Sequence, residues 1–390
     1  MRPLIVLTLL FLTSGAFAQQ TLRIDPDGAM GGSSSQLFDS VTYIPLESSK
    51  EALFGRVDKL VVTDHFFFIL DHSTDVIVVF RKDGRFYSKI SMEDLVKTPN
   101  RESLGLRDFM VNEAAGSVLV SHWEKQQSLY EFDLHGKLKR IITDKLWWAF
   151  NCIDSAHYLM ESGGDIVDSA RHINGNCIIT DTSTSVLEKS LLRHRELGYN
   201  LTLGEAITGG PGRGVFYTRT FDYTAYQIDA QGIANIYRFI FPQRYSLPAD
   251  FLDSAFMAKQ ADYLQKNDVV TGASGVFRIN NNLVFCVNKS QPPVRSTFMY
   301  SLKTGELYNL DLVTPDSSNG FVPISKIDDF HILDGDSTGF YTAVPAFEIG
   351  QYRDYAKDKH PVYSREIQAF FLRNGKNSNP VLVHITPRRL

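Results

Sequence analysis

The chain has 390 residues, 43% hydrophobic, 12% aromatic and 22% charged, a balance that excludes a disordered chain and a disulfide-held miniprotein. Lys plus Arg number 40 against 44 for Asp plus Glu, a net charge of −4 with neither sign in long blocks, so no broad cationic field awaits a phosphate backbone and nucleic acid is excluded as a partner. Length alone would suit two or three domains of roughly 150 residues, which leaves repeats to decide the domain count.

In chain order, Arg2, the apolar run at residues 4–12 and the small-x-small site Ala16-Phe17-Ala18 predict a signal peptide over residues 1–18, cut before Gln19. The mature chain is then exported, periplasmic or extracellular. With no Cys after the cut and no later stretch of 18 apolar residues, neither a lipid anchor nor a membrane span is expected. Residues 28–35 (GAMGGSSS) have linker composition and are expected to form a flexible lead-in. Val41–Leu46 reads as a short strand, with Pro45 suited to an edge.

Residues 57–90 then give four apolar runs rich in Val, Ile and Phe, separated by polar turns, which reads as four antiparallel strands. Their third turn, an aromatic or aliphatic residue followed by polar residues and Gly, recurs at Phe80 to Gly84, Phe132 to Gly136, Ile228 to Gly232, Tyr300 to Gly305 and Leu372 to Gly375. Glycine there supplies the positive φ of a tight or bulged hairpin. A sixth unit, Trp147 to about Leu192, has the strands but not that Gly. Of the cysteines, Cys152 and Cys177 flank one hairpin of that unit and are the expected pair if a bridge forms, whereas Cys286 reads as a small buried hydrophobe.

Gly209 to Gly214 is glycine-rich, but it lacks the Lys-Ser/Thr of a phosphate loop and reads as a flexible loop. Residues 248–265 show helical spacing of Phe251, Leu252, Phe256 and Leu264, predicting one helical insertion docked on neighbouring blades. The run from Asp334 to Thr338 offers oxygen ligands but not the rest of a calcium loop, and reads as a solvated turn. A last strand lies at residues 382–387. Six units averaging somewhat over 50 residues predict an all-β fold, a six-bladed β-propeller with a short helical insertion, as one domain over residues 19–390. Val41–Leu46 and residues 382–387 are expected to share a blade and close the ring.

Tyr43 to Glu47, Gly55 with Lys59, Ile69 to Asp71, Lys266 to Asp268, Tyr300 to Gly305 and Asn379 to Val383 together resemble the six-bladed β-propeller proteins of Bacteroidetes, over nearly the whole mature chain. The resemblance implies a six-bladed fold related in shape to NHL-repeat propellers, and export. Many members of that family are lipoproteins, and this chain departs from them in lacking the anchoring Cys. The family carries no shared catalytic motif, so the resemblance transfers no site residues.

For chemistry, the 10 histidines are scattered without HxxxH or HExxH, no CxxC and no G-x-S-x-G elbow occur, and no cofactor or metal is predicted. In a propeller the innermost strands run in one direction, so residues at their starts converge on one channel mouth. Strand assignment puts Arg56, Arg107, Arg213 and Lys326 at or before four such starts, with Trp147 and Trp148 at another. Cations and an indole such as Trp148 suit an anionic or sugar-like ligand. The countervailing reading pairs Arg56 and Arg107 with nearby Asp58 and Asp108 and puts one tryptophan in the core. The leading expectation is a non-enzymatic binding module for a glycan, peptide or envelope partner protein. The alternative is a metal-dependent, lactonase-like hydrolase with Asp58, Asp108 and Asp328 in the channel, and a third reading is a scaffold that uses the helical insertion.

Overall fold

The computed structural model describes residues 18–92, 105–123, 125, 127–143, 147–184, 186–194, 206–327, 330–373 and 378–389, so the signal peptide expected over residues 1–18 lies, all but Ala18, outside the described residues. Three strands come first: β1 (Ala18–Arg23), β2 (Met30–Ser33) and β3 (Phe38–Pro45). Blade one holds β4 (Lys59–Val62), β5 (Phe66–Asp71), β6 (Val76–Arg81) and β7 (Phe86–Ser91). Blade two holds β8 (Leu106–Asn112), β9 (Ser117–His122), β10 (Ser128–Phe132) and β11 (Leu138–Thr143). Blade three is built from β12 (Trp147–Cys152), β13 (His157–Asp168), β14 (Ile173–Asp181) and β15 (Leu187–Leu192). Blade four has β16 (Ile207–Gly210), β17 (Gly214–Thr218), β18 (Thr224–Asp229) and β19 (Gly232–Ile240). Blade five has β20 (Val270–Ile279), β21 (Asn282–Lys289), β22 (Arg295–Ser301) and β23 (Leu307–Thr314), and blade six has β24 (Asp334–Gly335), β25 (Phe340–Val344) and β26 (Val381–Pro387).

These are the six expected blades, and β26 pairs antiparallel with β3, Val383 opposite Tyr43, so both ends of the chain close the last blade. Pro45 sits at the end of this outermost strand, where its missing N–H costs no ladder bond. Each strand alternates between two neighbours. In blade one, Phe68, Leu70, Ile77 and Val79 pack with Phe109, Val118 and Val120 of blade two, while Phe67, Ile69, Val78 and Phe80 pack with Tyr341 and Leu382 of blade six. Burying one such side chain contributes roughly 1.5–3 kcal/mol, and no blade can bury both faces without its neighbours.

The repeated turn glycines do more than adopt positive φ. Gly84 (φ 82°) and Gly136 (φ 85°) press on the preceding blade, where a Cβ would lie 2.2 Å from Pro45 O and 2.4 Å from Lys89 O. Gly375 lies outside the described residues, but Leu372 is helical, so the fifth occurrence of the pattern lies at a helix end and not in a hairpin.

Several expectations need correction. The GAMGGSSS segment is not a flexible lead-in: β1 and β2 add parallel fifth strands to blades four and five, and a capping box at Ser33 and Gln36 starts the short helix α1 (Ser34–Leu37). Gly31 is needed for close approach, since a Cβ there would stand 3.0 Å from Leu312 Cβ. Cys152 and Cys177 are free. They lie on β12 and β14 with β13 between them, two strand spacings or about 10 Å apart across the sheet and three residues offset along it, and face different inter-blade cores, which no disulfide can span. The helical insertion is two short helices, α2 (Ser254–Met257) and α3 (Gln260–Lys266), docked through Phe251 and Leu264 onto Phe221 and Val269. A second insertion, α4 (Ala346–Tyr355) and α5 (Arg365–Arg373), lies between β25 and β26. Gly209 to Gly214 is a strand turn with Gly209 paired to Val215. Of the run from Asp334 to Thr338, Asp334 is buried in β24 at 5% exposure, while Ser337 and Thr338 form the exposed turn that was expected.

Candidate ligand site at a channel mouth

The innermost strands β4, β8, β12, β16, β20 and β24 line the channel, so it has a strand-start mouth and a strand-end mouth. Long connections from one blade to the next reach the strand-start mouth, whereas tight turns close the strand-end mouth.

At the strand-start mouth three inner strands break register near their starts: β20, where the extra residue is the buried Thr271, and the neighbouring β8 and β12. In β8, Leu106 lies opposite His122 and Asp108 opposite Ser121, which makes Arg107 the extra residue of a β-bulge. In β12, Trp147 lies opposite Ser162 and Ala149 opposite Glu161, which leaves Trp148 extra in the same way. A bulge re-aims the residue it adds. Trp148 is 52% exposed while Trp147 is core, as the sequence reading allowed for one of the pair.

A continuous chain of contacts runs across three blades here. Arg56 Nε meets Asp58 Oδ1 at 2.6 Å, the His72 backbone N donates to Asp58 Oδ2 at 2.7 Å, and His72 Nε2 lies 3.5 Å from Arg107 O. Arg107 Nη2 donates to Trp148 O at 3.1 Å, and its guanidinium lies 4.8 Å from the ring centroid of Trp123. Trp123 is the second indole of this mouth, which sequence reasoning missed because it follows β9, remote in sequence from any inner-strand start. Asp108 is held by Lys59 Nζ at 2.5 Å.

Behind this rim, Tyr217 Oη of blade four donates to Glu161 Oε1 of blade three at 2.7 Å. Burial pushes the Glu161 carboxyl above its ordinary range, against the opposing pull of the Tyr217 bond and the charges of Arg219, His194 and Arg107. Arg219 in turn meets Asp222 at 2.9 Å.

The remaining two nominated residues lie elsewhere. Arg213 follows β16 and so reaches the strand-end mouth, where Nη1 lies 3.3 Å from Asp334 Oδ1 and Nη2 donates to Val62 O at 3.1 Å, tying blade four to blades six and one. A cavity of about 780 Å³ opens above this pair, lined by Asp64, Glu113, Asp154 and Asp336. Three of those carboxylates are engaged in bracing: Glu113 by His65 Nδ1 at 2.7 Å, Asp154 by the backbone N of Ala156 and His157, and Asp336 by Thr338, Gly339 and Tyr341. Lys326 lines a separate groove of about 490 Å³ between β22, β23 and Tyr352 of α4.

For the metal alternative, Asp58 and Asp108 are each paired with a cation and Asp328 lies outside the described residues. Among the described residues no group of three or more His, Cys, Asp or Glu is arranged to hold a metal ion, and no helix is long and apolar enough to cross a membrane.

Six blades packed face to face and joined at both chain ends define a six-bladed β-propeller. The chain belongs to the family described as a domain of unknown function (DUF4934), whose profile matches residues 22–386. No curated protein matches the sequence. Among solved structures, an exported-protein candidate from Bacteroides fragilis is similar at 15% identity and a TM-score of 0.68, covering 95% of this chain and all of its own. A DUF4221 family member from Bacteroides vulgatus matches at 10% identity and a TM-score of 0.45, over 90% of this chain and 97% of its own. At these identities the likeness is one of fold.

Proposed function

We propose that the protein is an exported, single-domain binding module that holds a glycan, a peptide or an envelope partner protein at its strand-start mouth, on Arg56, Arg107 and Trp148. The observation that carries this reading is the pair of matched bulges. Two neighbouring inner strands each accept an unpaired residue at the same level, and the Arg107 guanidinium of one donates to the backbone carbonyl of Trp148 of the other, whose side chain is half exposed. Bulges gather beside functional sites, and exposed Trp with Arg is the composition of a binding hot spot. The signal-peptide-like start supports export. Arg213 and Lys326 belong to other surfaces and are left out of this site.

The test is a double variant, Arg56→Ala with Trp148→Ala, screened against glycan and peptide arrays and envelope extract. Both side chains are more than half exposed, so the melting temperature should stay nearly unchanged while the wild-type ligand is lost. Retained binding would show that the mouth is misassigned.

A further inference from the structure

We infer that the glycine-rich turn after β16 is a plug: it carries Arg213 into the channel and seals the ring at the strand-end mouth, so no chain threads the propeller. Each blade packs on its two sequence neighbours around the ring, which sets blades four and one opposite each other. Arg213 Nη2 of blade four donates to Val62 O of blade one at 3.1 Å, while Nη1 lies 3.3 Å from Asp334 Oδ1 of blade six. The side chain therefore crosses the channel. Val62 ends β4, an inner strand with a neighbour on one side only, so a ladder leaves half of its backbone groups facing the channel. At Val62 both such groups are taken: its N–H donates to Asp334 Oδ2 at 2.6 Å and its carbonyl accepts from Arg213. Gly335 N donates to Asp334 Oδ1 at 2.7 Å, completing the bonds of the buried pair.

The glycines of this turn make the reach possible. Gly209 (φ 89°) holds a left-handed conformation, and a Cβ there would meet Gly214 O at 2.2 Å. A Cβ at Gly210 would stand 3.1 Å from Arg213 Nη2, in the way of the guanidinium. Flanking blades hold the base of the turn: Asn151 Nδ2 of blade three donates to Gly209 O at 3.1 Å, and Thr208 Oγ1 donates to Val276 O of blade five at 2.6 Å. Blades one, three, four, five and six thus meet through this one turn.

The space left around it is closed. Between the turn, Phe277 of β20 and Gly335 of β24 about 10 Å³ remains, room for one water at most. On the other side, the cavity of about 780 Å³ is lined no deeper than Val61, Val111 and Asn151, near the last residues of their inner strands, and by none of Arg56, Arg107 or Trp148. The two mouths are separate pockets. One consequence rests on the mouth assigned above: a glycan or peptide is held there by an end or a face, and enters and leaves on that side alone.

The full mature chain is compared with Arg213→Ala and with the milder Gly210→Ala by hydrogen exchange resolved at Val62. In the wild type that amide should exchange slowly although it has no ladder partner. Both variants should speed it about ten-fold or more, while the outer strands β7 and β11 keep their wild-type rates. Unchanged exchange at Val62 in Arg213→Ala, a rise shared equally by β7 and β11, or wild-type exchange as fast as at the exposed Ser337 overturns the plug. The double variant Arg56→Ala with Trp148→Ala should leave Val62 at its wild-type rate. If that variant keeps its envelope ligand while Val62 stays slow, the mouth assignment falls and the plug stands.

Discussion

Asn379 shows how much of this fold can hang on one side chain. Fully buried, its Oδ1 accepts from Phe54 N at 3.0 Å while Nδ2 donates to Glu47 O at 2.6 Å and Ala52 O at 2.8 Å, fastening the start of the last strand to the connection between β3 and β4. Asn379→Ala leaves those backbone groups dry and unpaired, at roughly 1–3 kcal/mol each, so urea unfolding should report a loss of about 3 kcal/mol or more. Asp336 makes a different, pH-dependent contribution. Burial alone would raise its pKa, but donors from His384, Thr338 and Tyr341 outweigh that and hold it far below the ordinary carboxylate range. Its stabilisation is therefore present above the ordinary carboxylate pKa and is lost as pH falls below it. Asp336→Asn should cost about 2 kcal/mol at neutral pH, and the gap to wild type should shrink on acidification toward about pH 2. A gap that stays constant with pH would remove the charge from the explanation. Sequence made the turn glycines legible because a positive φ has a residue signature. It could not expose the bulges at Arg107 and Trp148, since an extra residue exists only relative to the strand opposite.

Elements divide along similar lines. The strands of blade one were readable because β5 and β6 are continuous apolar runs, buried on both faces. The strand β2 was not, for Met-Gly-Gly-Ser has neither alternation nor β-branched residues and becomes a strand only by lying against β23. Helix α4 escaped notice because its sequence, AFEIGQYRDY, has no clear apolar stripe and carries an internal Gly. The N-terminal segment acts as a strap over blades four, five and six, held further by Arg244 Nη2 to Asp25 at 3.0 Å and to Asp27 at 2.8 Å. Deleting residues 19–33 exposes the outer edges of β19 and β23, and open edges recruit other chains. Light scattering and thermal melts of that deletion should show a lowered melting temperature and aggregation. An unchanged, monodisperse protein would reduce the strap to decoration.

At the scale of the whole molecule, the blade count followed from sequence because every blade is apolar on both flanks, a property only a closed stack satisfies. The division of the nominated cations did not follow. Arg213 precedes a strand in sequence just as Arg107 begins one, but β17 is second in its blade, so Arg213 faces the opposite mouth. The two mouths are thus differently built: at one, carboxylates brace turns above the Arg213–Asp334 pair; at the other, bulged inner strands carry Arg107 and the half-exposed Trp148. Hydrogen exchange on the mature protein with and without bound envelope ligand separates them most directly. The account predicts slowed exchange at residues 56–59, 106–109 and 147–150, with the turns at 63–65, 113–116, 153–156 and 211–213 unaffected, whereas protection confined to those turns would contradict it.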